Sequence, residues 1–569
     1  MIARERALEL LHSERFDVVV IGGGITGAGV ALDAASRGYS VALVEKADFA
    51  SGTSSRSSKL VHGGLRYLQK FDLGLVREAL LERQLMVRLA PHLVRPLPMV
   101  VAAFDGARPD RLTGLGLNMY DVMAAPSLRG RLSARRGGQA ASGSGRAESD
   151  GEEPPGEDSD WSPARHRAIS GQEVLRLLPA LSDRRPSGGY LFYDCQTDDA
   201  RLVLTVLGEA ERFGAICANR LEVCELLEFG SEGGVRVADA ETGERFVVRA
   251  ANVVNATGVW ADRIRPEELH SEAEVPRIAP SRGTHVTMAA TTLPLAAGAI
   301  VPVGDGRSIF ALPWLGGSLV GTTDNNYDGD IDHVCPSEAD IAYLLDAINR
   351  FFAKDLGPDE LTGAYAGVRP LISPGDARKS VDISRKAELY ETSSGLITIT
   401  GGKLTTWRRM AKLAVDRLVE REGRQAPCRT HEIPLGQPVD PDQLPRVDGV
   451  PEAAYAALAA RYGHAAEEVL ALAAQDPALA APILPGHPDL LAEAPFSARR
   501  EQARTVGDVL LRRTRLGLLA GAELTRRECA APTYVAEALA RELGWDSRRV
   551  QRELERFRAE AAAEGIAVR

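Results

Sequence analysis

Residues 62–69 read HGGLRYLQ, so an imidazole, two glycines, a guanidinium and a phenol fall almost side by side. His62 can exchange a proton near neutral pH. Gly63 and Gly64 let backbone come close to a ligand, and Arg66 can grip an anion through charge-assisted hydrogen bonds, with Tyr67 beside it. Upstream, Gly22-x-Gly24-x-x-Gly27 offers a second kind of chemistry. Its first glycine permits a tight turn, its second lets backbone approach a pyrophosphate, and its third lets a helix pack on a strand.

That glycine pattern has meaning only between a strand and a helix. Phe16 to Ile21 is a short β-branched run, and Ala28 to Arg37 is alanine-rich and closes at Gly38, a helix C-cap signal. Ser40 to Glu45 reads as a second buried strand, and Glu45 at its end can accept from ribose hydroxyls. A short helical lead precedes this unit. The whole predicts a β-turn-α-β dinucleotide site without distinguishing NAD from FAD.

Two distant stretches repeat the strand-to-glycine turn. ANVVNATGVWAD (251–262) runs into Ala256-Thr257-Gly258, and GLITITGGKLTTW (395–407) enters a glycine pair followed by Lys403. Between 185 and 330 the pattern is short strands and turns. SEADIAYLLDAINRFF (337–352) reads as an amphipathic helix with Ser337 as its N-cap. Residues 135–161 are dominated by Gly, Ser, Pro and Glu, with no recurring apolar position, which predicts a disordered surface insertion.

The combination GGGITGAG, SSKLVHGGLRYL, VNATGVW, RGTHV, GTTD, GVRPL and GGKLTTWRRMA, in this order, resembles the FAD-dependent glycerol-3-phosphate dehydrogenase family, on the D-amino-acid oxidase type of flavoprotein fold. The resemblance covers about residues 14–430, and the helical tail with LLRRTRLGLL is similar to that family's C-terminal domain. It implies an α/β fold: a Rossmann-like FAD-binding domain, a mixed α+β substrate domain and a C-terminal all-helical domain. The expected division is 14–275 for the first part of the FAD domain, 276–365 for the main part of the substrate domain, 366–430 for a return to the FAD domain, and 431–569 for the helices.

The resemblance also implies the reaction and its residues. Glycerol 3-phosphate would be oxidised to dihydroxyacetone phosphate with FAD as hydride acceptor and a quinone as the onward acceptor. His285, in RGTH, is the expected proton acceptor, with His62 as the other candidate. Arg66, Tyr67, Arg369, Arg385 and Lys403 are expected to hold the substrate, Arg369 and Lys403 within reach of the chemistry. Gly22, Gly24, Gly27, Glu45, Ser57, Ser58, His62, Gly63, Gly64, Ala256, Gly258, Gly402, Lys403, Leu404 and Thr405 are expected at the cofactor. Three alternatives stay open: an oxygen-using oxidase, an amino-acid or amine oxidase on the same fold, and a flavin-binding scaffold without turnover.

Composition limits the rest. A formal charge of -10 argues against nucleic acid as a main partner. Cys195, Cys217, Cys224, Cys335, Cys428 and Cys529 form no metal-ligand spacing and suit a reducing compartment. The absence of a signal-peptide pattern or a long apolar run predicts a cytoplasmic protein, peripheral at most on the inner face of a membrane. The arginine-dense 499–527 region could lean on anionic lipid or pair internally with carboxylates. Asp324-x-Asn326-x-Asp328-Gly329 imitates a calcium loop, but Cys335 stands where the closing Glu would be. An oligomer is compatible with all of this.

Overall fold

The computed structural model describes residues 1–64, 73–106, 110–124, 164–227, 233–264, 277–304, 307–373 and 387–567. Arg66, Tyr67, Arg385 and the 135–161 stretch lie outside the described residues.

The β-turn-α-β unit is present. Arg15–Ile21 forms the first strand, Gly22 turns the chain at φ +110°, and the helix Ile25–Ser36 starts behind Gly24. The helix begins ahead of the alanine run because its glycines are needed for packing. A Cβ on Gly29 would stand 2.6 Å from the ring of buried Trp407, which lies in the helix Trp407–Glu422. Gly38, at φ +87°, ends the turn after the helix, and Val41–Val44 follows as the second strand. The lead is the helix Arg4–Ser13.

These strands belong to a sheet ordered Ala387–Glu391, Ile397–Gly401, Arg245–Asn255, Arg15–Ile21, Val41–Val44, Ile216–Ala218. All but the first run parallel, with Ile21 opposite Asn255 and Asn255 opposite Thr398. Three strands therefore finish at one edge, which is where open α/β sheets bind ligands. That register brings the turns at Gly22, Ala256–Gly258 and Gly401–Gly402 together from across the chain.

A second sheet carries the other half of the site. Arg277–Ala289 pairs along its whole length with Leu361–Ser373, setting His285 opposite Tyr365 and Ser281 opposite Arg369. Leu60–Val61, Arg95–Ala103, Arg167–Ser170 and Gly188–Gln196 also belong to this sheet, joined through Met99 opposite Gly298. This sheet therefore draws strands from both sides of residue 275, a pairing over separations that leave no local trace in the sequence. The helix Glu338–Phe352 packs on this sheet, and Ser337 Oγ accepts from Asp340 N at its N-terminus as anticipated.

The C-terminal helices have a core of their own, including Leu458, Leu470, Phe496, Leu510, Leu539 and Phe557. They are nevertheless fastened to the body. Leu518 and Leu519 pack with Trp314, Leu319 and Tyr365, and Ala364 N donates to Ile566 O at 3.1 Å. No helix among the described residues is long and apolar enough to cross a membrane.

Candidate functional site

At the shared strand ends lies a cavity of about 920 Å³, towards the upper end of ordinary ligand-site volumes. Gly22, Gly24, Glu45, Ser57, Ala256, Gly258, Gly402, Lys403 and Leu404 line it, so nine of the anticipated cofactor residues converge. Gly258, Gly401 and Gly402 have φ of +61°, +77° and +67°, a backbone that side chains with a Cβ rarely adopt. Gly27 lies behind the wall: a Cβ there would sit 1.9 Å from the Gly22 carbonyl oxygen. Gly27→Ala must therefore open the turn, and we expect purified protein to carry at least about tenfold less bound flavin, read from its visible absorbance.

The polar groups of the turn fit a dinucleotide. Gly23 N donates to Glu45 Oε2 at 2.6 Å and Ala47 N to Glu45 Oε1 at 2.9 Å, fixing the carboxylate at the end of its strand. Burial pushes the Glu45 carboxyl up from its ordinary value, against those two amides. Ile25 N donates to Ser54 Oγ at 2.9 Å. A pyrophosphate at this helix N-terminus would meet a hydroxyl as well as amides. Ser54 was missed in the sequence, although the hydroxyl-rich run SGTSSRSS follows Glu45 closely.

The remaining anticipated residues form a layer beside the cavity. Thr405 Oγ1 accepts from His62 N at 3.2 Å, tying the HGG segment to the GGKLTT turn. Gly63 N donates to Tyr120 Oη at 2.8 Å, and a Cβ on Gly63 would collide with Leu80 and Tyr120. Gly64 takes φ +77°. His62 meets Phe310 edge-on at 6.1 Å. Arg369 reaches Asp324 Oδ1 at 3.3 Å and Thr322 Oγ1 at 3.2 Å, while its neighbour Pro370 lines the cavity. Asp324, first residue of the calcium-loop imitation, also accepts from Ser281 Oγ at 2.5 Å.

His285 is buried, 2 % exposed, and stacked on Tyr365 with ring centroids 4.9 Å apart. Its Nε2 is 2.8 Å from Ser58 Oγ. Ser58, expected at the cofactor, thus lies off the cavity wall and against the imidazole. Among the described residues Nδ1 of His285 has no hydrogen-bond partner. Burial, with the nearby positive charges of Lys59 and Arg369, pushes the imidazole well below 6.5. It is therefore neutral at physiological pH and able to take up a proton.

The C-terminal domain supplies a wall that sequence reading missed. Arg556, Ala559, Glu560, Ala563 and Glu564 line the cavity, a spacing that marks one face of the helix Ser547–Ala563 and its end. Thr505, Asp508 and Arg512 line it too. Arg512 and Arg513 issue from a short π-helical segment, Asp508–Arg513. Arg512 Nε reaches Asp48 Oδ2 at 2.7 Å, and Arg513 Nη1 reaches the same oxygen at 2.7 Å. Arg512, Arg513 and Arg515 are buried, while Arg499, Arg500 and Arg504 pair with Glu542, Glu468 and Glu5. Six of the eight arginines in 499–527 are thus buried or paired with carboxylates.

Comparison with known proteins agrees with this geometry. Residues 17–417 match the FAD dependent oxidoreductase family, and residues 397–550 match the C-terminal domain of alpha-glycerophosphate oxidase. Glycerol-3-phosphate dehydrogenase 2 of Mycobacterium tuberculosis is 36% identical, across 99% of this chain and 90% of its own. The aerobic glycerol-3-phosphate dehydrogenase of Bacillus subtilis is 35% identical, across 90% of this chain and 89% of its own. The structure of glycerol-3-phosphate dehydrogenase from Bacillus halodurans, complexed with FAD, superposes with a TM-score of 0.75 at 28% identity, covering 99% of both chains.

Proposed function

We infer the reaction from one premise: this chain belongs to the FAD-dependent oxidoreductase family and, within it, to the glycerol-3-phosphate dehydrogenases. The substrate is glycerol 3-phosphate and the product dihydroxyacetone phosphate. FAD, when bound, supplies the acceptor for the hydride leaving C2, while the hydroxyl proton goes to a base on the protein.

His285 is that base. Its Nε2 is hydrogen-bonded to Ser58 Oγ, and in the tautomer with the proton on Nε2 the other nitrogen, Nδ1, which has no hydrogen-bond partner among the described residues, receives the proton. Arg369 holds the phosphate, with Arg66, Tyr67, Arg385 and Lys403 as the other grips, each charge-assisted bond contributing about 1.5–3 kcal/mol. Lys403 stands on the cavity wall at the third glycine turn, where its charge favours an anionic partner. His62 orders the turn through Thr405 rather than taking the proton. The onward acceptor is a quinone, a reading supported by the full-length relatives named dehydrogenases, while the matching C-terminal domain family carries an oxidase's name.

The observation that carries the reading is the neutral, buried imidazole held against Ser58, whose neighbour Ser57 lines the cavity where three glycine turns meet. Anaerobic addition of glycerol 3-phosphate should bleach the bound flavin, and a soluble quinone should restore its colour faster than oxygen does. Bleaching by D-amino acids but not by glycerol 3-phosphate would transfer the site to amino-acid oxidation. Faster recovery in oxygen would make it an oxidase.

A further inference from the structure

The segment Ser57–Lys59, which carries the hydroxyl against His285, is held by a buried ionic cluster that no step above employs. Asp199 is its centre. Asp199 Oδ2 accepts from Ser57 N at 3.1 Å and from Ser57 Oγ at 2.7 Å. Lys59 Nζ binds both carboxylate oxygens, at 2.9 and 2.8 Å, and donates to Ser55 O at 2.7 Å. Arg515, from the C-terminal domain, donates to Asp199 Oδ1 at 3.0 Å and to the same Ser55 O at 2.8 Å. The side chains of Lys59 and Asp199 are fully buried, and that of Arg515 is 1% exposed.

Each link of this cluster leads towards the imidazole. Lys59 takes φ +60°, a left-handed conformation costly for a side chain with a Cβ, and its ammonium faces the rings of Tyr365 and Trp314 at 4.9 and 5.3 Å. Tyr365 stacks on His285 and donates from its hydroxyl to Ser57 O at 2.9 Å. Ser58, between Ser57 and Lys59, then has its hydroxyl fixed against Nε2. A stability role alone would not require this arrangement, since a buried ion pair gains little over apolar residues of the same volume.

We propose that Asp199, clamped by Lys59 and by Arg515 of the C-terminal domain, is a positioning residue for the reaction, locking Ser58 so that it fixes the orientation and tautomer of His285. The proposal rests on the assignment of His285 as base. It makes the helical domain part of the catalytic geometry, because a cation from that domain completes the clamp.

The test is stopped-flow reduction of the FAD-loaded full chain by glycerol 3-phosphate. Arg515→Met should slow flavin reduction about tenfold at saturating substrate, with KM and flavin content nearly unchanged, and Arg515→Lys should recover most of the rate. Asp199→Asn should behave like Arg515→Met. Ser58→Ala, which removes only the final hydroxyl, should show the same loss even where the ionic variants fold poorly. Lys59 and Arg369 are the charges acting on His285, and Tyr365 is stacked on it. Lys59→Met, by removing one positive charge, should move the acid limb of the pH–rate profile up towards 6.5, which checks that this limb belongs to His285.

Wild-type reduction rates in folded Arg515→Met and Ser58→Ala would overturn the clamp. If His285→Asn is slow while those variants are fast, only the clamp fails. If His285→Asn is itself fast, the underlying assignment fails.

Discussion

Flavin reduction in His285→Asn is expected to be about 10²–10⁴-fold slower than in the parent, the ordinary range for loss of a general base. Asn is close to the imidazole in size, and a modest change in volume disturbs the stacked position on Tyr365 less than Ala would. The effect should fall on the rate of reduction, with glycerol 3-phosphate affinity little altered, because His285 is not itself one of the phosphate grips. Anaerobic stopped-flow traces across a substrate series separate the two. A change confined to KM would assign His285 to substrate binding instead.

The same residue sets the pH dependence. Because burial, Lys59 and Arg369 hold its pKa well below 6.5 in the folded protein, the acid limb of kcat/KM should lie below 6.5. Between the folded value and 6.5 the unfolded chain binds more protons than the native one. Stability therefore rises with pH through that window and is lost as pH falls across it. Urea midpoints at a series of pH values should follow this direction, and the dependence should shrink in His285→Asn.

Asp48→Ala carries the second large expectation. Asp48 is 1% exposed and receives Arg512 Nε and two nitrogens of Arg513. Its removal leaves two buried guanidiniums short of a counter-charge, a change that costs about 3–5 kcal/mol in buried pairs. Arg512 retains Asp508 and Glu560, and Arg513 retains Glu501, which keeps the loss within that range. Because Asp48 shares the cavity wall with Glu45 and Lys46, flavin should also dissociate faster. Denaturant titration gives the first quantity, and recovery of flavin fluorescence on release gives the second. A variant with parental stability and parental flavin release would mean that the domain contact is incidental to both.

What was legible in the sequence lay in runs of consecutive residues. Gly22, Gly258 and Gly402 stand out because their positions take left-handed backbone, Gly24 because backbone has to come close to a ligand there, and Glu45 because it directly follows the strand Val41–Val44. Ser337 was legible as an N-cap for the same local reason. Asp199 was not, since Asp198 beside it does the conventional capping, accepting from Ala200 N and Arg201 N. Nothing in TDDA separates a cap from the centre of a cluster whose other members are Lys59 and Arg515. The membership of Arg95–Ala103 in the second sheet was hidden likewise, because its partners lie far along the chain. The cavity face of the helix Ser547–Ala563 was written in the spacing of Arg556, Ala559, Glu560 and Ala563, but small and charged residues there resemble an ordinary solvent-facing stripe.

That helix has a consequence for how the holoenzyme is assembled. Chains emerge from the ribosome N-terminus first, and their domains fold in that order. The three glycine turns are complete once residue 404 has emerged, whereas Arg556–Glu564, the far wall, is the last part of the cavity to be made. A nascent chain therefore presents an open groove to the cofactor throughout synthesis of the helical domain. Closure comes when Glu564 pairs with Arg56 and Ile566 joins the strand at Ala364. Loading before that moment meets no barrier from the wall. The helical domain's share of the cofactor contacts is therefore added only after every glycine turn is already in place.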